Sequence, residues 1–116
     1  MSNLTKLIEY GQSYWIDNLT RSMIKSGELK KRILKEGLRG QTSNPAIFFK
    51  AITDGGDYTK QIEKLAKQAK SVLEIYDALT IKDVQDACDL FKPVYDSSNG
   101  VDGYVSLEVS PYLAHN

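Results

Sequence analysis

The chain has 116 residues, 41% hydrophobic and 26% charged, a make-up that fits one globular domain and argues against intrinsic disorder. Lysine plus arginine number 15, as do aspartate plus glutamate, so a net charge of zero gives no electrostatic reason to expect nucleic acid or an anionic membrane as partner. The single cysteine, Cys88, excludes an internal disulfide and suits a reducing compartment.

The opening stretch MSNLTKLIEYGQSYWIDN has neither a signal-peptide apolar region nor an arginine-rich transit pattern. No apolar run approaches the roughly 18–20 residues of a membrane span. A soluble, cytoplasmic protein is expected. Leu4, Leu7 and Ile8 mark one short amphipathic turn of helix, stopped near Gly11. SYWID (13–17) is a short aromatic run that favours a strand. Leu19, Met23 and Ile24, then Leu29, Ile33 and Leu34, return to helical spacing, interrupted at Gly27 and ended at Gly37.

LRGQT (38–42) reads as a second strand. SNPAIFFKAI then opens a helix with Asn44 as N-cap and Pro45 at its first position. After the DGGDY turn, residues 59–78 carry a stripe of Ile62, Leu65, Ala66, Ala69, Leu73 and Tyr76 that predicts one helix. TIKD (80–83) resembles a capping box with Asp83 in the usual Glu position. Ile81, Val84, Cys88 and Phe91 follow as the inner face of a further helix, which Pro93 helps to end. DSSNGVDG (96–103) is loop chemistry, and YVSLEV follows as the clearest strand. Strands separated by helical crossovers pair in parallel, so the fold class is α/β.

Polar residues gather at the strand ends: Asp17 after the first, Thr42 and Asn44 after the second, Glu108 near the end of the third. In parallel α/β sheets such positions line the ligand crevice. Asn44 caps a helix whatever else it does, and Asp17 suits either a cap or a catalytic carboxylate. Glu108 shares a strand face with Ser106, opposite Val105, Leu107 and Val109, and that strand carries it inward. A carboxylate there needs a partner. Two carboxylates with a Thr/Asn cluster at one rim would serve proton transfer on a small polar substrate; spacing alone leaves the reaction open.

GQSYWIDNLTR (11–21), LRGQTSNPAIFFKAI (38–52) and DGYVSLEVSPYLA (102–114) resemble, in order, three signature segments of transaldolase, most closely its longer bacterial form with an N-terminal helical extension. The resemblance implies a (β/α)₈ TIM barrel and metal-free, cofactor-free class I chemistry. A dihydroxyacetone unit would pass from a ketose phosphate such as sedoheptulose 7-phosphate to glyceraldehyde 3-phosphate, a pentose phosphate pathway reaction. It makes Asp17 the proton-transfer group of carbon–carbon cleavage. Asn44, with Thr42 beside it, would contact the three-carbon unit, and Glu108 would act through a water in forming and hydrolysing the Schiff base. Ser43 and Ala46 depart from the TTNPS form of shorter relatives, so no hydroxyl role is carried to position 46.

A complete barrel needs about 250 residues and eight strands, so residues 1–116 are expected to be the N-terminal part of one such domain. The Schiff-base lysine of the family lies on a later strand. Lys25, Lys30, Lys31, Lys60, Lys64, Lys67 and Lys70 fall in helical stretches, so the chain by itself is expected to be inactive. His115 has no metal-ligand cluster around it, Cys88 reads as a packed thiol, and the glycines form no nucleotide-binding pattern. Trp15, Tyr14, Tyr104 and Tyr112 are expected to fill the barrel or its rim. Two other readings stand beside this one: a non-catalytic α/β piece that self-associates through open sheet edges, and a related class I sugar-phosphate aldolase.

Overall fold

The computed structural model describes residues 5–107. Glu108, Val109, Tyr112 and His115 therefore lie outside the described residues. A 3₁₀ helix, Thr5–Tyr10, stands where a turn of helix is expected. Strand β1 is Tyr14–Ile16, followed by helices α1 (Arg21–Lys25) and α2 (Glu28–Lys35), then strand β2 (Leu38–Thr42). Helices α3 (Pro45–Asp54), α4 (Thr59–Lys67) and α5 (Val72–Ser97) precede strand β3 (Tyr104–Ser106). The strands form one sheet in the order β1-β2-β3, with both pairings parallel, as the helical crossovers require.

The sheet has two unlike faces. Tyr14, Ile16, Leu38 and Val105 pack with Leu19, Met23, Leu29, Ala87, Phe91 and Val94, which builds the main core between the strands and α1, α2 and α5. A bulge between Tyr14 and Trp15 resets the pairing, so that Tyr14 meets Leu38 while Trp15 meets Gly40 and Ile16 meets Gln41. Trp15 consequently stands on the other face, 37% exposed, while the half-exposed Tyr104 turns back to pack edge-on against Tyr95 of α5. A smaller cluster of Phe48, Tyr58 and Leu79 ties α3 and the α3–α4 turn to α5. Phe48 meets both Tyr58 and Tyr76 edge-on there.

Asn44 and Pro45 start α3 as expected: the Asn44 side chain accepts from the backbone N–H groups of Ala46 and Ile47. The stretch 59–78 is two helices and not one. Ala69 takes φ 58°, its N–H donates to the Ala66 carbonyl and that of Lys70 to Leu65, closing α4 in a Schellman turn without glycine. Lys70 thus lies in a turn and not in a helix.

The capping box sits at Ser71 and Glu74 instead of 80–83, each side chain bonding the other residue's N–H. α5 then runs unbroken through the expected boundary. Thr80 donates to the Tyr76 carbonyl one turn back, Ile81 and Cys88 are exposed, and the buried stripe is Leu79, Thr80, Asp83, Ala87, Phe91 and Val94. Pro93 lies on the exposed side of α5 and does not end it; Asn99 at φ 55° and Gly100 at φ 82° do, with the Gly100 N–H on the Tyr95 carbonyl. Leu34, placed on the inner stripe of α2 by its spacing, is 71% exposed.

Candidate active site

β1 and β2 are adjacent and parallel, so the residues that follow or close them come to the same rim. Asp17 directly follows β1, Thr42 closes β2, and Asn44 begins α3. The Thr42 hydroxyl donates to Asp17 Oδ1 at 2.5 Å, and Asn44 Nδ2 donates to Asp17 Oδ2 at 3.4 Å. Both carboxylate oxygens are therefore met from one neighbouring segment. The amide of Asn44 is fixed by its other end: Oδ1 accepts from Ala46 N at 3.1 Å and Ile47 N at 3.3 Å. Capping the helix aims Nδ2 back at Asp17. Three of the four residues singled out from sequence thus share one hydrogen-bonded cluster, and the fourth, Glu108, lies outside the described residues.

β3 completes the rim. Thr42 pairs in register with Ser106, and the Ser43 N–H donates to the Ser106 carbonyl at 2.9 Å. Ser106 is exposed and shares the Thr42 row. One row toward the strands' beginnings lie Trp15, Gly40 and Tyr104, also in register. A Cβ on Gly40 would overlap Cδ2, Cε2 and Cζ2 of Trp15, so the indole rests directly on the β2 backbone.

Sequence reading missed the groups that hold this rim from the helical side. Gln41 is fully buried on the core face and donates through Nε2 to the Asn18 carbonyl, fixing the segment just after Asp17. Further along that segment, the Arg21 guanidinium donates to Asp83 Oδ1 at 2.8 Å, and Tyr58 donates to Asp83 Oδ2 at 2.5 Å. The Tyr58 hydroxyl in turn accepts from the Arg21 N–H at 2.8 Å. Asp83 is fully buried and Tyr58 nearly so. Burial raises the Asp83 carboxyl above its ordinary value, opposed by the Tyr58 and Arg21 hydrogen bonds; burial and the Asp83 bond push the Tyr58 phenol up strongly. No local pattern reveals the trio, because its members lie on three separate elements; a charged residue at an apolar-stripe position of α5 is the one available signal.

Every lysine of the chain lies on a helix or, for Lys70, in the α4–α5 turn, and none is on a strand. Among the described residues, no group of three His, Cys, Asp or Glu side chains has the proximity to hold a metal, and no helix is long and apolar enough to cross a membrane. The rim can orient a small hydroxylated ligand and exchange protons with it through a carboxylate, a hydroxyl and an amide.

Residues 14–116 match the family model described as Transaldolase/Fructose-6-phosphate aldolase. The chain is 53% identical over 113 residues to a protein of Trichodesmium erythraeum named Transaldolase, which covers 97% of this chain and 30% of that protein. It is 47% identical over 115 residues to Transaldolase 2 of Nostoc punctiforme, covering 99% and 30% respectively. To the Transaldolase of Thiobacillus denitrificans it is 44% identical over 115 residues, 98% of this chain and 32% of the relative. The chain therefore spans about 30% of the length of the curated relatives it matches.

Proposed function

Since the chain belongs to the transaldolase/fructose-6-phosphate aldolase family, we propose that it supplies the first three strands and part of the active site of a transaldolase (β/α)₈ barrel. The observation that carries this reading is the Asp17 carboxylate met by Thr42 and Asn44 at one rim of a parallel sheet. The reaction proposed is transfer of a dihydroxyacetone unit from a ketose phosphate such as sedoheptulose 7-phosphate to glyceraldehyde 3-phosphate, a step of the pentose phosphate pathway.

In this reading a lysine on a strand that this chain does not contain forms the Schiff base with the donor ketone. Asp17 takes the proton of the hydroxyl whose carbon is released as aldehyde, then returns it when the acceptor aldehyde is attacked. Thr42 and Asn44 hold that carboxylate in place while Asn44 reaches the bound unit. Glu108 moves protons to and from the water that enters and leaves at the Schiff-base carbon. A cytoplasmic setting suits this chemistry, as do sugar phosphates as substrates. The chain by itself is then inactive, because none of its lysines lies on a strand.

The test is a chimera in which this chain replaces the matching segment of the Trichodesmium relative. Transfer to glyceraldehyde 3-phosphate supports the reading, while a folded chimera without transfer overturns it. Release of free dihydroxyacetone with no need of an acceptor would favour the aldolase reading, which the family's double description keeps in view.

A further inference from the structure

We propose that Trp15 sets the size of the carbon unit that can reach Asp17, acting as the floor of the ligand pocket. This rests on the functional reading above. Trp15 pairs with Gly40, residues two apart on a strand share a face, and Thr42, two residues after Gly40 on β2, donates to Asp17, so the indole and the carboxylate lie on one side of the sheet, with about 6.6 Å of strand rise between the Gly40 and Thr42 rows. That is roughly the span of a short carbon chain lying between the indole and the carboxylate. The indole keeps its height because Gly40 opposite it has no side chain: any Cβ there would collide with the fused ring. Trp15 remains 37% exposed.

The other aromatic of the row is engaged elsewhere. The Tyr104 hydroxyl donates to the Gly100 carbonyl at 2.5 Å, and its ring packs edge-on against Tyr95 at 5.7 Å between centroids. Among the described residues, Trp15 is therefore the large side chain of that row left over the β2 backbone, two positions before Thr42. An aromatic face there suits the C–H side of a polyol chain whose hydroxyls are taken by Asp17, Thr42 and Asn44. A longer unit meets the indole before its reacting carbon reaches the carboxylate.

The experiment compares two donors in the chimera: a ketose phosphate with its carbonyl at C2, which delivers three carbons, and one with its carbonyl at C3, which delivers four. One methylene against an apolar wall discriminates by at least about 10-fold. Trp15→Ala is expected to raise the kcat/KM ratio of the C3-keto to the C2-keto donor by about that factor. Trp15→Phe, which keeps a smaller ring on Gly40, should move the ratio the same way by less, and decides the matter if the alanine variant does not fold. Gly40→Ala lifts the indole and should raise KM for the C2-keto donor, an effect that disappears in the double variant Gly40→Ala/Trp15→Ala. Equal loss with both donors in the Trp15 variants, at an unchanged ratio, overturns the proposal. Lack of transfer by the unsubstituted chimera overturns the underlying reading instead.

Discussion

The Thr42 hydroxyl reaches across from β2 to donate to Asp17 Oδ1 at 2.5 Å, joining residues 25 positions apart at the rim of the sheet. The contact exists because β1 and β2 are parallel neighbours, and parallel order brings strand ends of one sense together. It orients a carboxylate that would otherwise rotate in solvent. In the chimera, Asp17→Asn keeps the shape and the Asn44 neighbour but removes the proton acceptor. Turnover is expected to fall by about 10²–10⁴-fold, with far-UV circular dichroism and the urea midpoint close to the parent. Turnover within a few-fold of the parent would remove Asp17 from the chemistry.

Asn44 does two jobs with two atoms, and these can be separated. Asn44→Ser retains an oxygen able to cap α3 but is too short to donate to Asp17. Asn44→Ala loses both. Removing an N-cap costs about 0.5–2 kcal/mol, so urea unfolding should show the alanine variant destabilised by that amount and the serine variant nearly unchanged. Both should lose activity to a similar degree. If the serine variant stayed fully active, capping would be the whole role of Asn44.

The contrast between these residues and the helical layer shows what local pattern can carry. Strand alternation, the Asn44–Pro45 helix start and the polar strand ends are short-range signals, and they led to a parallel sheet with Asp17, Thr42 and Asn44 at one rim. The α4–α5 break was illegible because Ala69 takes a left-handed conformation that is ordinarily left to glycine. Thr80 and Asp83 have the spacing of a cap, yet Ser71 and Glu74, nine residues earlier, form the better pair, with Glu at the N3 position. Asp83 took its meaning from Arg21, 62 residues away, and Tyr58, 25 residues away. Long-range pairing of that kind leaves no periodic trace.

That buried trio makes its own prediction. Asp83→Ala leaves the Arg21 guanidinium, whose side chain is only 13% exposed, without its counter-charge. Breaking one side of a buried ion pair typically costs about 3–5 kcal/mol. Tyr58→Phe removes one donor from a carboxylate that keeps Arg21, for a smaller loss of about 1–3 kcal/mol. Urea denaturation of the three proteins should rank them parent, Tyr58→Phe, Asp83→Ala. Equal stability of parent and Asp83→Ala would mean that the pair is solvated in solution.

Glu74 gives a pH dependence whose sign follows from its contacts. The hydrogen bonds from the Ser71 backbone N–H and hydroxyl hold its carboxyl below the usual glutamate value. The unfolded chain then binds the proton more readily than the folded one, so the capping contribution is full above the unfolded value and is lost as pH falls through the depressed folded value. Amide exchange at the first turn of α5 should quicken over that acidic window, and Glu74→Gln should flatten the change. An exchange rate that follows only the intrinsic chemistry of the amide would show that the box contributes nothing in solution.

Association is the last expected outcome, and it comes from the sheet's margins. Among the described residues, β1 and β3 each pair on one side only, leaving a row of backbone donors and acceptors open on each. The face away from the helices adds the exposed ring of Trp15. Unpaired edges beside an aromatic face favour contact with another strand, and in a solution of this chain alone the available strand belongs to a second copy. Light scattering of the 116-residue chain should therefore show a mass above the 13.0 kDa monomer, rising with concentration. Tyr104→Lys, which sets a charge beside the β3 edge, should shift the distribution toward monomer. A 13.0 kDa species at every concentration would show that the two edges and the aromatic face do not mediate self-association.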